Sequence, residues 1–348
     1  MSLENTFSLP EIRLSKVLTF LVKVVIAVVL CYIIYRQLHG KTNVSDVWAA
    51  FRAAGSIWGF LCLLGAVLLV GVNWGLESLK WQRLIYPLER LSFAGSFKSV
   101  LCGVTVSMLT PNRTGEYVGR ILTLQNEGRV KAIPLALAGS YAQLIANLTL
   151  GFSGLSLFCF GYYGLSYFYT IIGLSVALLL MGGALFLYYR LNNLPRLFRG
   201  KYLEKVAQFT APLKQTGVRT LSILLIWSML RYLVYTFQYF LLLLAFGIPI
   251  GWMEAWILIS SIFFVQTFVP SVALAELGVR GNLALYFIGF TGSASAAILS
   301  AAFSLWMLNL IIPSIFGLVF ITQSGNFKFF FRPKQVGELA TANVSGTN

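Results

Sequence analysis

The stretch FKSVLCGVTVSMLTPNRTGEYVGR, Phe97 to Arg120, is an apolar helical run that stops too soon. Crossing the hydrocarbon core of a bilayer takes about 20 apolar residues. The run Phe97–Thr110 falls short of that, meets Pro111, and continues as a charged helical pattern through Glu127. Proline lacks an N–H and clashes with the preceding turn, so the helix breaks there. A second stretch behaves alike: Trp252–Val269 stops at Pro270, and a short helical pattern, Ala273–Phe290, follows. At membrane depth, broken helices are tolerated only where they line a cavity or are buried in protein.

The surroundings of these two stretches are membrane-like. Of the 348 residues 58% are hydrophobic and 11% charged, with mean hydropathy +0.79. A soluble domain carries roughly 25% charged residues, so the solvent of this chain is largely lipid. Six segments are long enough to span: Val17–Tyr35, Ile57–Leu76, Ile133–Phe158, Leu165–Tyr189, Leu221–Phe246 and Ser293–Ile321. The expected fold is an all-α polytopic membrane protein. It has about six spanning helices plus two oppositely oriented re-entrant broken-helix hairpins, which form an inverted repeat. Residues 1–16 read as a cytoplasmic N-terminus without a removable signal peptide. Residues 17–322 read as a single transmembrane domain, with repeat halves at 57–160 and 219–322, and residues 323–348 as a disordered cytoplasmic tail.

The formal charge of +15 reflects 26 Lys and Arg against 11 Asp and Glu. Positive residues hold loops on the cytoplasmic side. With the N-terminus inside, the loop after Leu76 lies inside with Lys80, Arg83, Arg90 and Lys98. The long loop Arg190–Arg219 and the C-terminal Lys328, Arg332 and Lys334 also fall inside. The loop with Arg36, Lys41 and Arg52 disagrees. Leu197–Leu213 is amphipathic and reads either as a helix on the headgroup surface or as a solvated basic loop. The basic residues are scattered over membrane-flanking loops, which speaks against nucleic acid as a partner.

The two broken segments share a signature. Each has an apolar half-helix, a proline (Pro111, Pro270), a glutamate (Glu116, Glu276), and an arginine four residues on (Arg120, Arg280), with a glycine between. A spacing of four places Glu and Arg on one helix face. The N–H groups opening a half-helix attract anions, and the arginine fork matches phosphate. Arg113, Glu116, Arg120, Glu276 and Arg280 are therefore candidate substrate-binding residues. The alternative is that each pair neutralises itself and pins its hairpin. In the fifth span Arg231, Tyr235 and Gln238 share one face. Arg231 reads either as cavity lining or as half of an internal ion pair. Gln143 and Asn147 share a face of the third span and read as interhelical hydrogen bonders.

Several chemistries are disfavoured. The four cysteines, Cys31, Cys62, Cys102 and Cys159, all sit in apolar runs and predict free thiols rather than disulfides. There is no metal-ligand spacing, and no cofactor is expected. Gly151-Phe152-Ser153-Gly154 looks like an intramembrane serine nucleophile, but His39 is the single histidine and lies upstream, so no enzyme activity is expected.

At Pro111–Arg120 and Pro270–Arg280 the chain resembles the lysylphosphatidylglycerol synthase transmembrane-region family of flippase-like membrane proteins. Pro111, Arg113, Gly115 and Glu116 match that family's Pro-x-Arg-x-Gly-Glu motif. Pro270, Gly278, Val279 and Arg280 match its second, Gly-rich motif. There Ala275-Glu276 replaces the usual Gly pair and Gly281 the final Glu, leaving Glu276, one turn earlier, as the candidate carboxylate. The resemblance implies movement of phosphate-bearing, aminoacylated or other, lipids between leaflets; with the basic loops inside, the expected setting is the cell (inner) membrane with both termini cytoplasmic. It names membrane phospholipid as the partner, beside a homo-oligomer or a membrane enzyme. The chain given ends shortly after the last span, so the soluble aminoacyl-transfer domain of bifunctional members is not expected and the synthase activity is not carried over. A small-solute or ion transporter, or a non-transporting partner of a lipid-modifying enzyme, are the alternatives.

Overall fold

The structure, a computed structural model, describes residues 44–108, 110, 113–125, 129–194, 204–269 and 273–323. The first expected span, Val17–Tyr35, and both prolines, Pro111 and Pro270, lie outside the described residues. Among those that are described, the secondary structure is helical, with no strand. This is what a lipid environment selects, because a helix satisfies its own backbone polar groups.

A short helix, α1 (Val44–Ala54), leads into α2 (Ile57–Ile85). Ser56 caps α2 by accepting the Gly59 N–H at 3.0 Å, the arrangement that satisfies an orphan first-turn donor. Then come α3 (Phe93–Ser107), capped in the same way by Ser92, and the short α4 (Gly115–Ile121). Helix α5 (Ile133–Tyr163) follows a 3-10 turn and ends at Gly164, whose φ of 60° makes the left-handed stop that favours glycine. Next are α6 (Tyr167–Tyr189), the short α7 (Glu204–Thr210) and α8 (Val218–Ala245). The second broken segment forms α9 (Trp252–Phe268) and α10 (Ala273–Ile288). The chain closes with α11 (Ser295–Trp306), a π turn over Met307–Ile311, and α12 (Ile312–Gln323).

Five helical stretches are long and apolar enough to cross a membrane: Ile57–Ile85, Arg129–Tyr163, Tyr167–Tyr189, Val218–Ala245 and Ser295–Gln323. They coincide with the five expected spans after the first. Two boundaries need correction. Helix α2 does not end at Leu76 but runs on to Ile85, so Lys80 and Arg83 are helical and not loop residues. Lys80, assigned above to a cytoplasmic loop, is buried in the bundle, 1% exposed. The charged pattern after Pro111 is helical only to Ile121, not to Glu127. Of the amphipathic stretch Leu197–Leu213, only its second part is described. It forms α7 and a 3-10 turn in which Pro212 and Leu213 are buried.

The packing is reciprocal. Helix α2 lies along α8, α3 lies along α12, and α9 lies along α5. Close approach is paid for in side-chain volume. A Cβ at Gly119 would stand 2.6 Å from the Gly103 Cα, so α3 and α4 touch through glycine. Thr105 on α3 donates to the Ser314 carbonyl of α12 at 2.8 Å. Gly151 and Gly154, flagged in sequence as a possible nucleophile motif, pack α5 against Phe264 and Ser260 of α9, and the Ser153 hydroxyl donates to the Leu150 carbonyl. Helix α6 packs on α5, where Tyr141 donates to the Ala184 carbonyl at 2.9 Å, and exposes Ile171, Leu178, Leu179 and Leu180.

Candidate functional site

The site begins on one face of α2. Asn73, Trp74, Glu77, Lys80 and Trp81 are spaced by three and four, so they share that face, and all five are buried. Glu77 is the hub. Its Oε1 accepts from Arg120 Nη2 at 2.7 Å, and its Oε2 accepts from Lys80 Nζ at 3.1 Å and Arg231 Nη1 at 2.8 Å. Arg120 also pairs with Glu116, one turn back on α4. Arg120 lies over the Trp81 ring at 5.5 Å and Arg231 over Trp74 at 5.1 Å. An isolated charge at the bilayer centre costs roughly 2.5–3.5 kcal/mol on insertion scales. Here each charge has an opposite partner at contact distance, which offsets that cost.

From Arg231 the network crosses the bundle. Arg231 Nε donates to Asn73 at 2.9 Å, Asn73 donates to Asn309 at 2.9 Å, and Asn309 donates to Gln238 at 2.9 Å. Gln238 in turn donates to the Ala66 carbonyl at 2.8 Å. Asn309 sits in the π turn. Such single-turn bulges redirect a side chain inside a helix and recur at functional sites. Gln143 donates to Asn147 at 3.2 Å and to the Ser228 carbonyl at 3.3 Å, the interhelical role expected of it.

The second broken segment makes a smaller cluster. Glu276 Oε1 accepts from Arg280 Nε at 3.0 Å and Nη2 at 2.5 Å, and from the Gln266 amide at 3.2 Å. Arg280 Nη1 donates to the Tyr235 hydroxyl at 2.7 Å. Arg113 reaches across from the first segment, with its Nε 3.5 Å from Glu276 Oε2.

Between the two clusters lies a cavity of about 260 Å³. Asn73, Gln143, Asn147, Tyr235, Gln266 and Asn309 supply its polar wall, and Arg113, Arg231, Arg280 and Glu276 its charges. Three arginines face one carboxylate, a formal surplus of two positive charges. Adding the ions behind the wall leaves the surplus unchanged, because five cations (Lys80, Arg113, Arg120, Arg231, Arg280) meet three carboxylates (Glu77, Glu116, Glu276). The wall is also rich in unused donors. The indole N–H groups of Trp74 and Trp306 are buried without an acceptor among the described residues, as is Arg113 Nε. The arginine surplus on the lining complements a ligand that carries negative charge and several acceptor oxygens.

The sequence candidates therefore separate. Arg113, Arg231, Glu276 and Arg280 line one cavity. Arg120 is 3% exposed, lies outside the lining, and holds two carboxylates. Glu116 accompanies it. Arg231 fills both roles proposed for it, as cavity lining and as half of an internal ion pair. Sequence reasoning missed Glu77, Trp74, Asn73 and Asn309. Asn73 and Glu77 carried a signal: with Lys80 they stand at i, i+4 and i+7 within a long helical pattern, the spacing of Arg231, Tyr235 and Gln238.

A family model described as the lysylphosphatidylglycerol synthase TM region matches residues 20–317 of the 348. The chain belongs to that family. The match contains every charged residue of the site, and it agrees with the motif resemblance at Pro111–Glu116 and Pro270–Arg280. The chain is thus a multi-pass membrane protein of a family related to lipid handling. No curated protein and no solved structure matches the chain.

Proposed function

We propose that this member of the lysylphosphatidylglycerol synthase transmembrane family is a lipid translocase that binds phosphate-bearing headgroups in the cavity between its two broken segments. The observation that carries this reading is the convergence of Arg113, Arg231 and Arg280 on one polar cavity inside an apolar bundle. Arginine presents a planar fork of donors that grips phosphate oxygens in pairs. The volume, about 260 Å³, lies below the range of roughly 300–1,000 Å³ that holds a whole drug-sized ligand. It suits a headgroup, with the acyl chains left in the bilayer.

The reading includes an architecture. The segments around Pro111 and Pro270 are re-entrant hairpins entered from opposite sides, in two inverted halves. The reciprocal packing supports this: exchanging the halves turns the α3–α12 contact into the α9–α5 contact and maps the α2–α8 pair onto itself. Inverted repeats place their ligand at the repeat interface near the midplane. In the proposed orientation both termini are cytoplasmic and the membrane is the cell (inner) membrane. The protein works without catalysis, as the flippase-like part of its family does, on phospholipids that are aminoacylated or plain.

The test is leaflet-to-leaflet movement of fluorescent phospholipids in proteoliposomes. Wild type is expected to move an anionic phospholipid, and Arg280→Ala and Arg231→Ala to lose at least about tenfold in rate, the worth of one charge-assisted contact. Wild-type protein that moves no anionic, zwitterionic or aminoacylated phospholipid contradicts the proposal.

A further inference from the structure

The next inference rests on the phosphate-binding reading and concerns the carboxylate that faces Arg113. Glu276 uses its two oxygens unequally. Oε1 accepts from Arg280 twice and from Gln266. Oε2 has no hydrogen-bond donor among the described residues, and its neighbour is Arg113 Nε at 3.5 Å. That Nε is itself buried with no hydrogen-bond acceptor among the described residues. The Arg113 backbone is held at φ 57°, a region that residues other than glycine rarely adopt. An arginine and a carboxylate thus face each other in a half-made contact. Charge holds them together, but the geometry does not close a hydrogen bond.

Both residues line the cavity. Arg113 belongs to the first broken segment and Glu276 to the second. Among the described residues theirs is the ion pair that joins the two segments. A phosphate offers Arg113 what Glu276 does not: oxygens on several sides of one atom, free to meet the guanidinium at hydrogen-bond distance.

We infer that Glu276 holds the place of the ligand's phosphate beside Arg113, and that the phosphate displaces it from Arg113. Arg280 keeps its hold on Glu276 through Oε1 and on Tyr235, so the carboxylate is never left unpaired. The exchange swaps a contact between segments for a contact with the ligand. Binding therefore unfastens the two segments from each other in the same step that seats the headgroup. Binding energy spent on replacing an internal contact lowers affinity and eases release, which suits a protein that must let its ligand go.

The experiment is a titration of purified protein with short-chain phosphatidylglycerol, in parallel with glycerol phosphate, which carries the phosphate without the chains. Trp74 and Trp306 line the cavity, so intrinsic tryptophan fluorescence reports occupancy. Removing the competing carboxylate with Glu276→Gln is expected to tighten binding about tenfold, the weight of one charge-assisted contact. Glu276→Asp, which withdraws the carboxylate by one methylene while keeping the charge, moves affinity the same way by less and guards against misfolding of the amide variant. Arg113→Gln weakens binding, and in the Arg113→Gln background Glu276→Gln no longer tightens it.

Unchanged or weaker binding in both Glu276 variants overturns the inference, because the carboxylate then supports the ligand or ignores it. Wild type that binds neither probe overturns the phosphate reading itself. Binding of glycerol phosphate alone, tightened by Glu276→Gln, upholds the displacement and overturns the lipid assignment.

Discussion

The two Glu-x3-Arg motifs are near copies in sequence and unlike in the fold. In the first, Arg120 is 3% exposed, holds both Glu77 and Glu116, lies on Trp81, and stands outside the cavity. In the second, Arg280 holds one carboxylate and a tyrosine hydroxyl and lines the cavity. The difference comes from the neighbouring helix. Helix α2 brings a carboxylate to Arg120, whereas α8 brings Tyr235 to Arg280. A repeated motif therefore sits in two settings: the first copy anchors a buried ion network, and the second presents its arginine to the cavity. Arg231 connects them, being held by Glu77 on one side and facing the cavity on the other.

The comparison can be broken at its hub. Glu77→Ala leaves Lys80, Arg120 and Arg231 close together with Glu77 gone, and only Glu116 remains to offset them. Removing one partner of a buried ion pair costs about 3–5 kcal/mol. Expected is loss of folded protein, read as a fall in thermal midpoint and in the monodisperse fraction after extraction. A Glu77→Ala protein as stable as wild type would mean that the first cluster is not an anchor.

Packing of the first segment gives a smaller effect. Gly119→Val forces a branched side chain against Gly103, where a Cβ alone would stand at 2.6 Å, and overpacking of this kind costs roughly 1–3 kcal/mol. The thermal midpoint is expected to fall while the ranking of headgroups in a binding titration is preserved, because the second segment is untouched. A changed ranking would place the first segment in the ligand site.

The smallest effect belongs to the bridge. Asn309→Leu removes the hydrogen bonds to Asn73 and Gln238. Hydrogen bonds between helices in a bilayer are worth roughly 0.6 kcal/mol on average and up to about 1.7. Stability is expected to fall by about that much, with weaker ligand binding, because Asn73 also positions Arg231 through its Nε. Unaltered binding would show that Arg231 is held by Glu77 alone.

Much of this was legible in the sequence. A proline, a glutamate five or six residues on, and an arginine four after the glutamate located both segments. The five later spans followed from length and hydropathy, and face periodicity grouped Arg231 with Tyr235. What escaped was set by tertiary contact. Hydropathy closes the second span at Leu76 because Glu77, Lys80 and Arg83 follow. Only the ionic partners supplied by α4 and α8 make it possible to bury Glu77 and Lys80 inside the bundle. In the same way, nothing near Arg113 in sequence announces that it meets Glu276. Three of the four cysteines were legible from their apolar settings: Cys62, Cys102 and Cys159 are free thiols, and Cys31 lies outside the described residues.

The most direct measurement pairs Arg120→Gln with Arg280→Gln and reads two quantities on each, thermal stability and the rate of anionic phospholipid movement in proteoliposomes normalised to folded protein. Expected is a split. Arg120→Gln lowers the thermal midpoint and leaves the rate per folded molecule near wild type. Arg280→Gln lowers the rate at least about tenfold with the smaller loss of stability. Equal losses of both quantities in the two variants, or the reverse split, would contradict the division of labour between the two motifs.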